Sequence, residues 1–317
     1  MQKLIRNLLK AWVVLLLALC VCSAAFAETD GAVPFYRAED LFTARDLKQT
    51  ADTAAAETLT VSDGTDLRIT RPGVYILTGT AENATIYVEA EDEDKVQLVL
   101  DGLSVANSDF PCIFVLSADK VFITTAADSF LSVTGDFRKE EDRNPDGVIF
   151  SKDDLVLNGT AQLTIDSAGS GVIGKDDLKI TGGTYVIRAA AKAVDANDSI
   201  RICGGVFTLT AGTDALHAEN KKDEVKGYVV VSGGVFTIEA GDDGIYARSV
   251  LQIDGGELDI SAREGLEATV VQVNGGTIRI NAVDHSIHTA EKSSAYTPAV
   301  YSNGGEIQAD EGESKGE

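Results

Sequence analysis

The sequence predicts an all-β fold, a right-handed parallel β-helix of about ten coils with three sheets around one core, and three observations carry that prediction. Six Gly-Gly pairs, at 182/183, 204/205, 233/234, 255/256, 275/276 and 304/305, recur at spacings of 22, 29, 22, 20 and 29 residues. Between pairs the same text repeats: an alternating strand, a small acidic turn, a Gly/Ala-Ile/Leu dipeptide, a second turn and another alternating strand. Aligned on the pairs, apolar residues fall into three registers. Tyr185 and Ile187, Phe207 and Leu209, Phe236 and Ile238 follow the glycines; Leu178, Ile200, Val229, Leu251 and Val271 precede them; Val172, Val194, Leu216, Ile245, Leu266 and Ile287 hold the dipeptide position. Units this short cannot bury a core alone and must stack. A propeller blade needs four strands and around 40 residues, and the crossover rule makes the right hand the expectation.

Residues 1–27 read as a secretory signal, with Lys3, Arg6 and Lys10 before an apolar run at 11–21 and a small-residue exit at Ala25-Phe26-Ala27. The run is about half of what a bilayer span needs. Leu19 and Val21 stand where a lipoprotein signal wants a small residue before Cys20 and Cys22. Cleavage after Ala27 and secretion are therefore expected, with no membrane insertion afterwards. Residues 28–58 are polar, alanine-rich and aperiodic, and predict a loosely ordered lead-in with a helical stretch near 38–47. Residues 59–308 form the β-helix. Alternating strands at 73–78, 85–89, 96–100, 112–116, 121–124 and 130–133 open it, and regular coils follow from 146 to 306. Residues 309–317 read as an acidic tail.

Without the signal the chain carries 24 basic and 50 acidic residues, a net of −26. Nucleic acid and anionic membranes are poor partners for that field, whereas divalent cations and whatever they bridge are good ones. A monomer is expected. Cys112 and Cys203 fall about four coils apart, beyond disulfide reach, and predict two buried thiols. Trp12, the only tryptophan, leaves with the signal, so no tryptophan strip can grip a crystalline polymer. There is no G-x-S-x-G elbow and no phosphate loop, because each Gly-Gly precedes a strand.

Stacking places aligned residues of successive coils about 4.8 Å apart, so columns of the alignment are neighbours. The column before the dipeptide reads Lys192, Asp214, Asp243, Glu264, His285, and three residues later its companion reads Asp195, His217, Tyr246, Glu267, His288. Another column holds Asp153, Asp176 and Asp198, each preceded by Lys152, Lys175 or Asn197. Carboxylates at this spacing repel by roughly 1 kcal/mol in water and by more at a protein surface. A bound calcium, whose shell is made of hard oxygens, would compensate them; the alternatives are flanking lysines, raised carboxyl pKa values or a solvated acidic edge. Histidines 217, 285 and 288 suit zinc chemically, but His217 lies three coils from the others, and the expectation is solvent-facing corner histidines. Tyr228 and Tyr246 are the outward aromatics.

The runs Gly73-Val-Tyr-Ile-Leu-Thr-Gly-Thr80, Val96-Gln-Leu-Val-Leu-Asp-Gly102 and Asp119-Lys-Val-Phe-Ile123 resemble the opening coils of the secreted clostridial carbohydrate-binding domain family. Ile149-Phe-Ser-Lys-Asp-Asp-Leu155, Lys175-Asp-Asp-Leu-Lys-Ile-Thr-Gly-Gly183 and Gly241-Asp-Asp-Gly-Ile245 are similar to its recurring coil signature, and the resemblance covers about residues 59–290. It implies a right-handed parallel β-helix that binds calcium and associates with cellulose and acidic pectic polysaccharides, similar to pectate lyases but without demonstrated cleavage. Carried over by position, it supports Asp153, Asp176, Asp214, Asp242 and Asp243 as calcium ligands. The turns at 191–195 and 263–267 depart from the family's Asp-Gly-Ile pattern, and the chain stops soon after Gly305.

The resulting expectation is a secreted module that docks on acidic pectin or cellulose without cleaving it. Asp198 and Glu264 join the calcium candidates, and Lys192, His217, Tyr246 and Glu267 are placed at the glycan. A lyase would instead need a base beside the calcium cluster, from Lys192 or from outward Arg188, Arg201, Arg248, Arg263 or Arg279. The remaining alternative is a cell-surface adhesin or spacer.

Overall fold

A computed structural model describes residues 35–140 and 144–311; the signal at 1–27, the start of the lead-in and residues 312–317 lie outside the described residues. The chain winds as a parallel β-helix. In each regular coil one strand precedes the Gly-Gly pair (sheet A), one follows it (sheet B), and one holds the dipeptide (sheet C). The coil of Asp177–Ile180, Thr184–Ala189 and Val194–Ala196 pairs strand for strand, in parallel, with the next coil of Ser199–Ile202, Val206–Ala211 and Leu216–Ala218. Toward the C-terminus the strands run through the corners, and Glu257–Val273 contributes to all three sheets.

The three predicted apolar registers are the observed ones. Leu178, Ile200, Val229, Leu251 and Val271 pair in sheet A. Tyr185, Phe207, Phe236, Leu258 and Ile278 pair in sheet B. Val172, Val194, Leu216, Ile245, Leu266 and Ile287 pair in sheet C. All are buried except Ile287, which is partly buried at the last rungs. Parallel stacking puts like side chains face to face. The rings of Phe207 and Phe236 lie 4.4 Å apart and only 4° from parallel.

The two glycines of each corner serve different needs. The second one takes φ between +84 and +119° in all six pairs, a conformation that costs other residues 1–2 kcal/mol. The first allows close approach of the coil below. A Cβ on Gly275 would lie 2.4 Å from the Asp254 carbonyl oxygen.

The lead-in corrects the sequence expectation. Its helix is a single turn, Ala38–Leu41, and the segment is a strap packed on the outer face of sheet A. The backbone amides of Phe35 and Tyr36 donate to the side-chain oxygens of Gln272 and Gln252 at 3.2 and 2.9 Å. The Tyr36 ring stacks on Tyr228 at 4.1 Å, so Tyr228 is covered and is no platform for a ligand. Arg45 lies 4.4 Å over Phe122, and Gln49 donates to the Thr181 carbonyl and accepts from the Gly159 amide. The anchor is Asp46, fully buried, with Lys179 Nζ at 3.1 Å and Lys120 Nζ at 3.8 Å.

Both cysteines among the described residues are free. Cys112 is buried, which pushes its thiol up to about 12, while Cys203 is only half-buried, contrary to expectation. The last strand, Glu306–Glu311, continues into the segment read as a tail.

Candidate functional site

The outward column of sheet C changes chemistry halfway along the rod. Its first half is apolar: Tyr87, Phe114, Phe150 and Ile173 pair in order and are buried. Phe110 packs on Tyr87 and Phe114, and the Arg68 and Arg138 guanidinium groups sit over Tyr87 and Phe110. From Asp195 the column turns polar and runs Asp195, His217, Tyr246, Glu267, His288, each in register with the next, as the alignment requires. The neighbouring column pairs Asp243 with Glu264 and Glu264 with His285.

Five carboxylates therefore crowd one corner. Asp214, Asp243, Glu264 and Glu267 are buried, and Asp242 is half-buried beside them. One oxygen from each of Asp214, Asp242 and Asp243 lies within 4.8 Å of the others, and the same holds for Asp243, Glu264 and Glu267. Asp243 belongs to both groups. Its Oδ1 is buried with no hydrogen-bond partner among the described residues.

Electrostatics single out the same residue. Burial, then a hydrogen bond with Glu267 and the charges of Glu267 and Asp214, push the Asp243 carboxyl up to about 9. Burial acts on Glu267 in the same direction, but the Lys292 ammonium and the hydrogen bond from Asp243 outweigh it and hold that carboxyl below its ordinary value. Asp243 is thus the proton-holding member of a crowded pair. Local cations serve the rim. Lys292 Nζ lies 2.7 Å from Glu267, and Arg263 pairs with Asp242, with Asp284 at 2.9 Å and with Glu264 at 3.6 Å. Asp214 accepts from the Asp243 amide at 3.3 Å and has His217 Nε2 at 3.8 Å.

This donor set fits calcium. Calcium–oxygen bonds of about 2.4 Å allow ligand oxygens up to ~4.8 Å apart, and carboxylates are the ion's preferred ligands. Asp243 would hold it either with Asp214 and Asp242 or with Glu264 and Glu267.

The other predicted calcium column is not gathered in this way. Asp153, Asp176 and Asp198 stand just before strands that pair in register, but Asp153 accepts from the Ala118 amide at 3.2 Å and Asp198 from Asn220 Nδ2 at 2.6 Å. Asp198 also pairs with Lys226, from the longer excursion before Tyr228. Of the cations expected to compensate this column, Lys152 donates to the Leu116 carbonyl while its charge still acts on Asp153 against the larger upward push of burial, and Lys175 lies over the Phe150 ring. Asp176 and Asp198 share a hydrogen bond, and burial together with that bond raises the Asp176 carboxyl to about 7.

His217 overturns the solvent-facing expectation. It is buried, its Nδ1 lies 2.8 Å from Asp195 and 3.0 Å from Lys192 Nζ, and its ring stacks on Tyr246 at 4.7 Å. Lys192 in turn reaches Asp195 at 3.2 Å. Tyr246 carries the Lys292 ammonium 5.1 Å from its ring and keeps a half-exposed edge. The candidate lyase bases are largely occupied: Arg188 pairs with Asp166, Arg201 with Asp177 beside the strap, Arg248 with Glu224, and Arg263 as above. Ion pairing raises Arg263 further above its already high value, which suits a fixed cation rather than a proton acceptor.

Comparison with known proteins agrees with this architecture. A family described as carbohydrate-binding domain-containing protein matches residues 63–316. A carbohydrate-binding domain-containing protein of Acetivibrio thermocellus is 35% identical over 129 residues, which make up 39% of this chain and 45% of the relative. The chain thus aligns with less than half the length of that relative. The solved structure of the polysaccharide lyase-like protein from C. thermocellum, a gadolinium derivative, superposes with a TM-score of 0.55 at 23% identity, covering 81% of this chain and 97% of that one. That likeness is one of fold. With a parallel β-helix, a corner rich in stacked carboxylates and a family match over most of its length, the chain belongs to the carbohydrate-binding domain family.

Proposed function

We propose that the chain is an exported, non-catalytic module that docks on an acidic plant cell-wall polysaccharide through calcium held at the sheet C corner. One observation carries the reading: Asp243, a buried carboxyl with an orphaned oxygen, stands between Asp214, Asp242, Glu264 and Glu267. So many carboxylates in one corner are tolerable if a divalent cation offsets them. A uronate carboxylate is itself a calcium ligand, so an ion at this corner bridges protein and polymer. His217, Tyr246 and Glu267 line the same outward column, Lys192 reaches it from the neighbouring one through Asp195 and His217, and together they offer ring, ammonium and carboxylate contacts to sugar hydroxyls. Family membership supports the polysaccharide partner.

Affinity electrophoresis tests this. In polygalacturonate gels with calcium the protein should be retarded, and a chelator should release it. The polymer should yield no ultraviolet-absorbing unsaturated product, which a lyase would make. Retardation in cellulose gels that ignores the chelator would move the glycan contact away from calcium. No retardation in either polymer would contradict the binding role.

A further inference from the structure

We propose that Glu264, His285 and His288 form a second metal site, chemically distinct from the all-oxygen calcium corner, that takes a borderline transition-metal ion of the zinc class. Both histidines come from Thr277–Thr289, on either side of one corner, and the coil below supplies the carboxylate: Glu264 is in register with His285, and Glu267 with His288. One ligand atom from each of Glu264, His285 and His288 lies within 4.8 Å of the other two. His288 Nδ1 is 2.8 Å from Glu264 Oε2 and 3.1 Å from Glu267 Oε1, and His285 Nδ1 is 3.9 Å from Glu264 Oε1. The two imidazole rings face each other at 5.1 Å, 27° from parallel.

Two imidazole nitrogens and one carboxylate are a zinc set; calcium takes oxygen ligands. Along the acid column the donors thus change from oxygen only, at Asp214 and Asp243, to nitrogen and oxygen at the last rung. Tetrahedral bonds of about 2.1 Å put ligand atoms roughly 3.4 Å apart. His288 must therefore open by a few tenths of an ångström and surrender its hydrogen bonds, while His285 closes by a similar amount. Both can move. The His285 side chain is 57% exposed and that of His288 36%, against 8% for Glu264, which is the fixed ligand. Arg263, held by Asp242 and Asp284, stands 3.6 Å from Glu264 Oε1 and orients it. Three protein ligands leave a position open to solvent, where water or a sugar carboxylate oxygen completes the shell. The site needs only its own three residues and does not rest on calcium being bound, although Glu264 is shared with the Asp243 and Glu267 group.

Zinc titration of the full chain in excess calcium, by calorimetry, tests the proposal. One zinc per chain is expected, with at least tenfold weaker binding in His285→Ala and in His288→Ala. Because His285 is exposed, its variant will fold, and its circular dichroism and calcium titration should match the parent. Cobalt alone, added to the parent, should give the intense visible absorption of a four- or five-coordinate nitrogen-and-oxygen site, and His285→Ala should lose it. Zinc affinity equal in the parent and both variants would overturn the proposal. So would a weak, aqua-type cobalt spectrum, or a loss that follows His217→Ala instead.

Discussion

Asp243→Asn should weaken calcium binding by at least about a hundredfold and should raise the melting temperature of the calcium-free protein. The two effects have one cause. Asp243 is the carboxylate common to both oxygen groups, so its loss removes a ligand from each, and losing an anionic ligand from a divalent site costs at least ~2.7 kcal/mol, a factor of a hundred. Without calcium the same carboxyl is a liability. It is held up to about 9, so at neutral pH the folded chain keeps a proton that the unfolded chain, with a carboxyl near 3.9, has already released. That contribution is fully present below about pH 4 and is lost as pH rises through about 9. Glu267, shifted the opposite way, offsets part of the slope. Asparagine cannot ionise, so the calcium-free variant should gain on the order of 1 kcal/mol at pH 8, a few degrees for a chain of this size. In the parent, calcium binding should release protons and tighten with rising pH between 5 and 8. Calorimetric titration in two buffers of different ionisation enthalpy, with scanning calorimetry of the apo forms, reads all of this. A lower melting temperature for apo Asp243→Asn, or unchanged calcium affinity, would contradict it.

The strap should come off when its buried anchor is removed. Asp46 is fully buried, and Asp46→Ala would strand the Lys179 ammonium, 7% exposed, with Lys120 beside it. Breaking a buried pair by deleting one partner costs about 3–5 kcal/mol. Burial pushes the Asp46 carboxyl up, but the Thr43 amide and the two lysines outweigh it and hold the carboxyl below its ordinary value. Its stabilisation is therefore present above about pH 4 and fades as the pH falls further. Because a solenoid's coils are stabilised by their neighbours, the loss should be local. Amides and protease sites within residues 35–56 should become labile while coil amides stay protected in hydrogen exchange. If residues 35–56 stay as protected as in the parent, Asp46 is not the anchor.

The coils were legible because their signal is periodic: apolar residues at fixed offsets from the glycines can only be the inward stripes of a stack. The acid columns followed from the same arithmetic, and the registers of Asp243 with Glu264 and of Tyr246 with Glu267 are the predicted ones. What the sequence hid is non-periodic. The strap's partners lie more than 70 residues away, as with Asp46 and Lys120, Gln49 and Thr181 or Tyr36 and Gln252, and nothing in residues 35–56 repeats. A hint stood in the outward positions of sheet A, where Phe122, Tyr228, Gln252 and Gln272 are poor choices for a bare surface. His217 looked solvent-facing because its column position is outward; Tyr246 on the next rung and Asp195 on the one below bury it. Lys226 pairs with Asp198, a role the sequence did not offer it, because a longer excursion swings it back onto this column.

If the sheet C corner gathers its carboxylates around a divalent cation, anomalous diffraction from crystals grown with calcium, collected at a long wavelength, should locate the ion there. Peaks are predicted between Asp214, Asp242 and Asp243 or between Asp243, Glu264 and Glu267. Ordered water at that corner, with calcium absent or bound elsewhere on the rod, would contradict it.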